Sequence, residues 1–205
     1  MELEIYVAAG TAVLTSIVGP IVVHYVQSKY NKKNIDHVKE SLETNVLVFN
    51  KLEEIKTKLN TDRVWLMQFH NGGHFYPTGK SIQKFSMCYE TVEPGTSSIQ
   101  GSFQNIPISL FSKAINFLLE NNVISIPDYK DETVATHGLK HIAEETGCRS
   151  AYMFAIKSID NKFVGILGID YTKRKTQLEE HSLNELLVEA SAIGGVLMNH
   201  LNSKS

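Results

Sequence analysis

The apolar positions of residues 149–172 alternate in two runs, which is the pattern of two paired β-strands. Asp160 and Asn161 lie between the runs, and both tolerate the positive φ angles of a two-residue hairpin turn. Pairing the runs across this turn predicts two apolar faces, which place the hairpin at the centre of a sheet covered on both sides. One face carries Tyr152, Phe154, Ile156, Phe163, Leu167, Ile169 and Tyr171; the other carries Ala151, Met153, Ala155, Val164, Ile166 and Gly168. The small residues of the second face predict close packing by helices or by a ligand.

The remaining patterns predict further strands and helices around this hairpin. Strands are expected at residues 63–70, 85–92 and 123–126, with Asn71-Gly72-Gly73 ending the first of them. Helices are expected at residues 34–60, 107–121, 135–146 and 178–201. This order predicts an α+β fold with an antiparallel sheet flanked by helices.

The N-terminal residues 5–26 contain no Asp, Glu, Lys or Arg. As a helix this run would span about 33 Å, enough for a hydrocarbon core of ~30 Å, so we expect one transmembrane helix before the folded domain. The alternatives are a buried helix or a cleaved signal peptide, but Glu2 and Glu4 precede the run and no basic residue does. The basic residues Lys29, Lys32 and Lys33 follow it, which predicts a single-pass membrane protein with its N-terminus outside and its C-terminal domain in the cytoplasm.

The helix expected at residues 34–60 has an apolar seam with spacings of three and four. The seam consists of Ile35, Val38, Leu42, Phe49, Leu52 and Leu59, with Asn45 and Lys56 in its two gaps. A second stripe beside it contains Val46, Val48 and Ile55. This pattern is typical of a short parallel coiled coil, in which Asn45 would set the register, and it predicts a homodimer. The alternative is an amphipathic helix packed on its own domain.

Composition narrows the classes of partner. The chain has 205 residues and a formal net charge of -2, which argues against bulk binding of nucleic acid. Cys88 and Cys148 are too few for a disulfide framework and have no metal-ligand spacing, so we expect both to be reduced.

The segment from Gly147 to the end of the hairpin resembles the last hairpin of a GAF domain. The resemblance rests on Gly147, Arg149, Ser150, Gly165, Leu167, Ile169, Asp170 and Tyr171. The order of predicted elements is similar to the whole GAF topology from about residue 46 to residue 201. Together with the uncharged N-terminal run, the resemblance predicts three parts: an anchor and basic flank at residues 1–33, a connecting helix at 34–60, and a GAF-like domain at 61–205.

Two connections, residues 71–84 and 93–146, are expected to cross over the second face of the sheet. Polar side chains near these two crossover connections are the candidates for a ligand site. They are His70, Asn71, His74, Lys84, Tyr129, His137, Lys140 and His141. Most are cationic or become so near neutral pH, so the expected ligand is small and anionic. The alternatives are a tight glycine turn between the two histidines and an ordinary aromatic core. A metal site at His70 and His74 lacks an obvious third ligand, and we assign no metal.

These patterns favour a membrane-anchored sensory or regulatory module that binds a small ligand and acts through dimer or partner contacts. The alternative is a membrane-tethered interaction scaffold of bacterial or phage origin with no ligand. No catalytic constellation stands out, so the sequence predicts binding and no enzymatic activity, and it identifies no cofactor.

Overall fold

The structure is a computed structural model that describes residues 18–23, 37–75 and 77–202. The chain divides into two units, Met1–Glu40 and Ser41–Ser205. Residues 18–23 are helical. The helices that follow are α1 (His37–Leu59), α2 (Ser112–Asn121), α3 (Lys140–Thr146) and α4 (Glu180–Asn202). The strands are β1 (Arg63–His74), β2 (Ser81–Val92), β3 (Ile106–Pro107), β4 (Val123–Ile126), β5 (Ser150–Lys157) and β6 (Phe163–Tyr171).

The six strands form one antiparallel sheet in the order β3-β2-β1-β6-β5-β4. The β5–β6 hairpin lies inside the sheet, because β6 pairs with β1 and β5 pairs with β4. The prediction of a central hairpin in an antiparallel sheet is therefore confirmed.

The two long helices, α1 and α4, cover the first face of the sheet. Their buried residues there are Val48, Leu52 and Ile55 from α1 and Leu186, Ala190, Ile193 and Leu197 from α4. The contact is close at Gly194, where a Cβ atom would lie 2.9 Å from the carbonyl oxygen of Lys157. Two long helices with continuous apolar stripes thus seal this face.

The second face has a thinner cover. The chain segments between β2 and β5 cover this face. Apart from the sheet strands β3 and β4, these segments contain the short helices α2 and α3, 3-10 turns and loops. The buried residues that these segments contribute are Phe103, Ala114, Leu118, Tyr129, Leu139 and Ala143. Loops cover a sheet less completely than helices do, so this face is the place to look for a cavity.

The central hairpin differs from its prediction at the turn. The strands end at Lys157 and begin again at Phe163, so the connection is longer than two residues, and Asn161 has a φ of 59°. The register shifts between Ile156 and Lys157. This bulge exchanges the faces of the first two residues of β6: Phe163 packs with the second face and Val164 with the first.

Four predicted boundaries were wrong by four or five residues. Strand β2 begins at Ser81, four residues before its predicted start. Strand β1 continues through Gly72 and Gly73 to His74, because β2 begins at Ser81 and extends the ladder. Helix α2 begins at Ser112, after a 3-10 turn at Ile108–Phe111. Helix α3 begins at Lys140 because His137 and Gly138 have φ angles of 50° and 82°, which a right-handed helix does not allow.

Helix α1 packs on its own domain along part of its length, as in the alternative considered for it. Its C-terminal half packs on the sheet, whereas Leu42, Val46 and Phe49 are exposed. The side-chain oxygen of Asn45 accepts a hydrogen bond of 2.7 Å from the hydroxyl of Tyr89. Asn45 therefore already has a partner within the chain.

The predicted transmembrane run lies outside the described residues except for residues 18–23. Within the described part of the chain, no helix has both the length and the hydropathy needed to cross a bilayer.

Candidate functional site

An apolar cavity of about 60 Å³ lies between the second face of the sheet and its cover. Trp65, Met67 and Ile166 form its floor. The small residues of this face admit Trp65 itself, since a Cβ atom at Gly168 would collide with the indole ring. The close packing predicted for this face is thus made, at Gly168, by Trp65 of the neighbouring strand β1. The cavity is much smaller than the ~300 Å³ at which small-molecule sites begin, so the cavity alone is too small to hold a typical small-molecule ligand.

A buried ion pair marks the polar end of the cavity. The Nη1 atom of Arg63 lies 3.0 Å from the Oδ2 atom of Asp170, and the indole nitrogen of Trp65 donates to the same oxygen at 3.1 Å. Arg63 is 0% exposed and Asp170 4%. Burial raises the pKa of Asp170 to about 6, although Arg63 and the Trp65 hydrogen bond lower it.

The same ion pair connects the sheet to both parts of the cover. The Nη2 atom of Arg63 donates to the carbonyl oxygen of Thr146 at the end of α3 (3.3 Å), and its Nε lies 3.6 Å from Glu90. Glu90 in turn accepts backbone hydrogen bonds from Ile99 (2.9 Å) and Gln100 (3.2 Å). One cluster of charges therefore holds the two cover segments on either side of the cavity.

Cys148 and Tyr129 lie beside Asp170. Burial raises the pKa of the Cys148 thiol, and the nearby Asp170 carboxylate raises it further. Burial likewise raises the pKa of the Tyr129 hydroxyl. Both groups are neutral at physiological pH, and a neutral thiol is a poor nucleophile. Neither group is therefore an activated nucleophile.

A surface groove of about 700 Å³ adjoins the cavity and shares three wall residues with it, Tyr129, Ala143 and Cys148. Six basic side chains and one acidic one, Glu144, line this basic groove. The basic residues are Lys130, Lys140, Arg149, Lys173, Arg174 and Lys175. Its volume lies within the range of small-molecule sites.

Three lysines and Arg174 supply the uncompensated charge of the basic groove. Arg149 is paired with Asp128 at 2.7 Å, and Lys173 lies 3.4 Å from Asp62. Within the described residues, no ion pair involves Lys130, Lys140 or Lys175, all of which are exposed. The groove can therefore attract an anion without first breaking a salt bridge.

The structure divides the eight predicted site residues among three places. Tyr129 and Lys140 line the basic groove, and Tyr129 also lines the cavity. His141 is exposed on α3, and the ring of His137 packs on Phe117 with centroids 4.0 Å apart, where burial lowers its pKa.

The other four predicted residues lie at the far end of the β1–β2 hairpin. The Nε2 atom of His70 lies 2.9 Å from the hydroxyl of Ser86, and Asn71 accepts a hydrogen bond of 2.8 Å from Gln83. The stem of Lys84 crosses Gly72, and His74 is exposed. These side chains do not line the cavity or the basic groove. Among the described residues, no group of three or more potential ligands is placed to hold a metal ion.

Sequence analysis missed the ion pair and most of the basic groove. The run of three basic residues at 173–175, directly after β6, was the available signal for the groove. Arg63 and Asp170 are 107 positions apart, and only the register that places them opposite each other in β1 and β6 reveals the pair.

Comparisons with known proteins agree with this fold. No protein-family model and no curated protein matches the chain. Among solved structures, a far-red cyanobacteriochrome photoreceptor is similar with a TM-score of 0.61 and 14% identity, over 91% of this chain and 98% of that one. The phycocyanobilin-bound GAF domain of a cyanobacterial phytochrome has a TM-score of 0.59 and 18% identity, over 77% and 85%. The phycoerythrobilin-bound GAF domain of a cyanobacterial phytochrome has a TM-score of 0.60 and 15% identity, over 82% and 92%. The fold of this chain is GAF-like.

The buried carboxyl of Asp170 predicts a specific pH dependence. Its folded-state pKa of about 6 exceeds the ordinary value of 3.8, so its contribution to stability is complete below pH ~4 and is lost as the pH rises through about 6. Replacing Asp170 by Asn should remove this loss. The free energy of unfolding of the wild type, relative to Asp170→Asn, should fall by up to about 3 kcal/mol between pH 4 and pH 7 in urea titrations.

Asp62→Asn is the control, with the opposite sign. Burial raises the pKa of Asp62, but hydrogen bonds from the backbone of Lys173 and Thr172 lower it overall. The wild-type advantage over Asp62→Asn should therefore be present above pH ~4 and be lost as the pH falls. Parallel pH profiles for the wild type and Asp170→Asn would contradict the assignment for Asp170.

Proposed function

We propose that this chain is a GAF-like sensory or regulatory module that binds a small anionic molecule in the basic groove. The observation that carries the proposal is the charge of the groove, with six basic side chains against one acidic one in a volume of about 700 Å³. Clustered cations of one sign raise the local concentration of an anion and hold it by charge-assisted hydrogen bonds. The bilins named for two of the similar structures are too large for the closed cavity of about 60 Å³, so the proposal concerns smaller molecules.

Binding, and not catalysis, is the activity that the site favours. The thiol of Cys148 and the hydroxyl of Tyr129 both have raised pKa values, and Asp170 is engaged by Arg63 and Trp65. None of these groups is a prepared nucleophile or base.

A route from the basic groove to helix α1 supports a regulatory role. The backbone N–H groups of Thr172 and Lys173 donate to the Oδ2 atom of Asp62 at 2.7 and 3.1 Å, and Arg174 donates to the carbonyl oxygen of Asn60 at 2.8 Å. Asn60 and Asp62 follow the last turn of α1. A ligand that shifts the 172–175 wall would thus act directly on the end of α1, which we propose as the output element.

An anionic ligand should bind through the unpaired lysines. We expect Lys140→Glu combined with Lys175→Glu to weaken binding of inorganic phosphate, pyrophosphate or a nucleotide about tenfold or more, since each charge-assisted hydrogen bond contributes ~1.5–3 kcal/mol. Isothermal titration calorimetry and ligand-dependent melting measure the change. The control is Lys162→Glu, an exposed lysine in the hairpin turn outside the groove. Equal anion binding by the double variant and the control would contradict the groove as the site.

We also propose that α1 mediates contacts with a second copy of the chain. Leu42, Val46 and Phe49 are 57%, 57% and 41% exposed, and their spacing of three and four residues is that of a coiled-coil seam. The alternative function, a scaffold without a ligand, draws on the same exposed stripe together with the small volume of the cavity. Both versions place the interaction on α1.

Charges in this seam should separate the copies. We expect Leu42→Glu with Phe49→Glu to convert a dimer of residues 34–205 into a monomer, because like charges would have to be desolvated against each other. Light scattering at about tens of micromolar measures the state. Asn50→Glu with Thr57→Glu places two charges at exposed polar positions of the same helix and should leave the dimer intact. A monomeric unsubstituted protein would rule out this interface.

We further propose that residues 5–26 anchor the chain in a membrane, with the GAF-like domain in the cytoplasm. The support is the uncharged run and the lysines that follow it. Full-length protein should stay in membranes washed with alkaline carbonate, whereas a chain that begins at residue 34 should be recovered in the supernatant. Extraction of the full-length chain by carbonate would refute the anchor.

A further inference from the structure

The wall between the cavity and the basic groove is one side chain thick. Tyr129, Ala143 and Cys148 face both spaces, and Ala143 contributes only a methyl group to the wall. Helix α3, which carries Ala143, has seven residues, and the segment before it contains the two left-handed residues His137 and Gly138. Short elements without long apolar stripes open at low cost. A group held in the basic groove therefore lies next to a thin cover over an apolar space.

The cavity itself suits an apolar group. Sheet residues and the α2 residues Ala114, Ile115 and Leu118 form half of its wall. Asp170 is the one charged residue that lines it within the described part of the chain, and that carboxylate already accepts from Arg63 and Trp65. Cavities of this kind exclude water and bind apolar molecules.

The size of the cavity limits what can enter. A volume of about 60 Å³ corresponds to roughly two waters at their share of liquid volume, or a chain of about two or three carbon atoms. The cleft on the other side of the cavity, near residues 97–106, is lined by Glu145 and by no basic residue. The charge of the ligand therefore favours entry from the basic groove.

We propose that the ligand is an amphipathic anion: its acidic group lies in the basic groove, and a short apolar group passes Tyr129 and Cys148 into the cavity. This inference rests on the proposed function, because it presumes an anion in the groove. It adds the chemical class of the ligand, an acid on a small hydrocarbon group, and assigns the cavity as the subsite for that group.

Monoalkyl phosphates from methyl to hexyl phosphate test the proposal on the full-length chain by calorimetry, with inorganic phosphate as the reference. We expect affinity to rise about fourfold per carbon atom over the first two or three carbons and then to level off, because further methylenes find no space. Ala114→Val fills the cavity from the side away from the groove. This variant should lose the dependence on chain length and keep the affinity for inorganic phosphate.

A second variant enlarges the cavity with little risk to folding. Ile115→Val should extend the rise in affinity by about one carbon atom. Equal affinities from methyl to hexyl phosphate, with inorganic phosphate still bound, would overturn the cavity assignment and leave the groove in place. A chain-length dependence that persists unchanged in Ala114→Val would also overturn it. Failure of every phosphate to bind would refute the proposed function, and this inference with it.

Discussion

The ion pair between Arg63 and Asp170 is the constraint on which the second face of the sheet depends. Removing two charges from water costs several kcal/mol per ion, and the pair tolerates this cost only because other donors and acceptors complete it. Trp65 donates to the carboxylate of Asp170, while Asp62 and Thr61 donate to the backbone oxygen of the same residue. Arg63 then donates to Thr146. The pairing of β1 with β6, the floor of the cavity and the cover of the second face are therefore all in contact with one buried cluster.

The two faces of the sheet differ in how they are covered, and this difference separates stability from function. The first face is closed by α1 and α4, which pack on it with long apolar stripes. The cover of the second face packs on it through shorter apolar segments and is also attached by hydrogen bonds of Arg63 and Glu90. Short helices and loops shift at lower cost than long packed helices do, so the second face is better able to respond to a ligand.

The sequence predicted those elements correctly in which apolar residues recur at a regular spacing. Alternation identified the β5–β6 hairpin and its two faces, and the long stripes identified α1 and α4. It failed where one residue changed the geometry. The bulge near Lys157 reversed Phe163 and Val164, and the left-handed φ of His137 delayed the start of α3. Pairing with β2 carried β1 past two glycines. These outcomes depend on tertiary contacts, which override local preferences.

The site could be predicted only in part, because its residues come from four separate segments. Tyr129 and Lys140, which the sequence analysis placed near the second crossover, both line the basic groove. The histidines near residue 70 are also polar, but an antiparallel ladder places them at the opposite end of β1 from Arg63. Position along a strand therefore decided which cations could act together.

The groove acquires its charge where the segment after β6 returns beside α3, and hydrogen bonds from that segment to Asp62 and Asn60 place the same cations next to the end of α1. An anion that neutralises them would reduce the repulsion among these lysines and also change the forces on α1, so charge neutralisation in the groove and a response of the helix follow from one set of contacts.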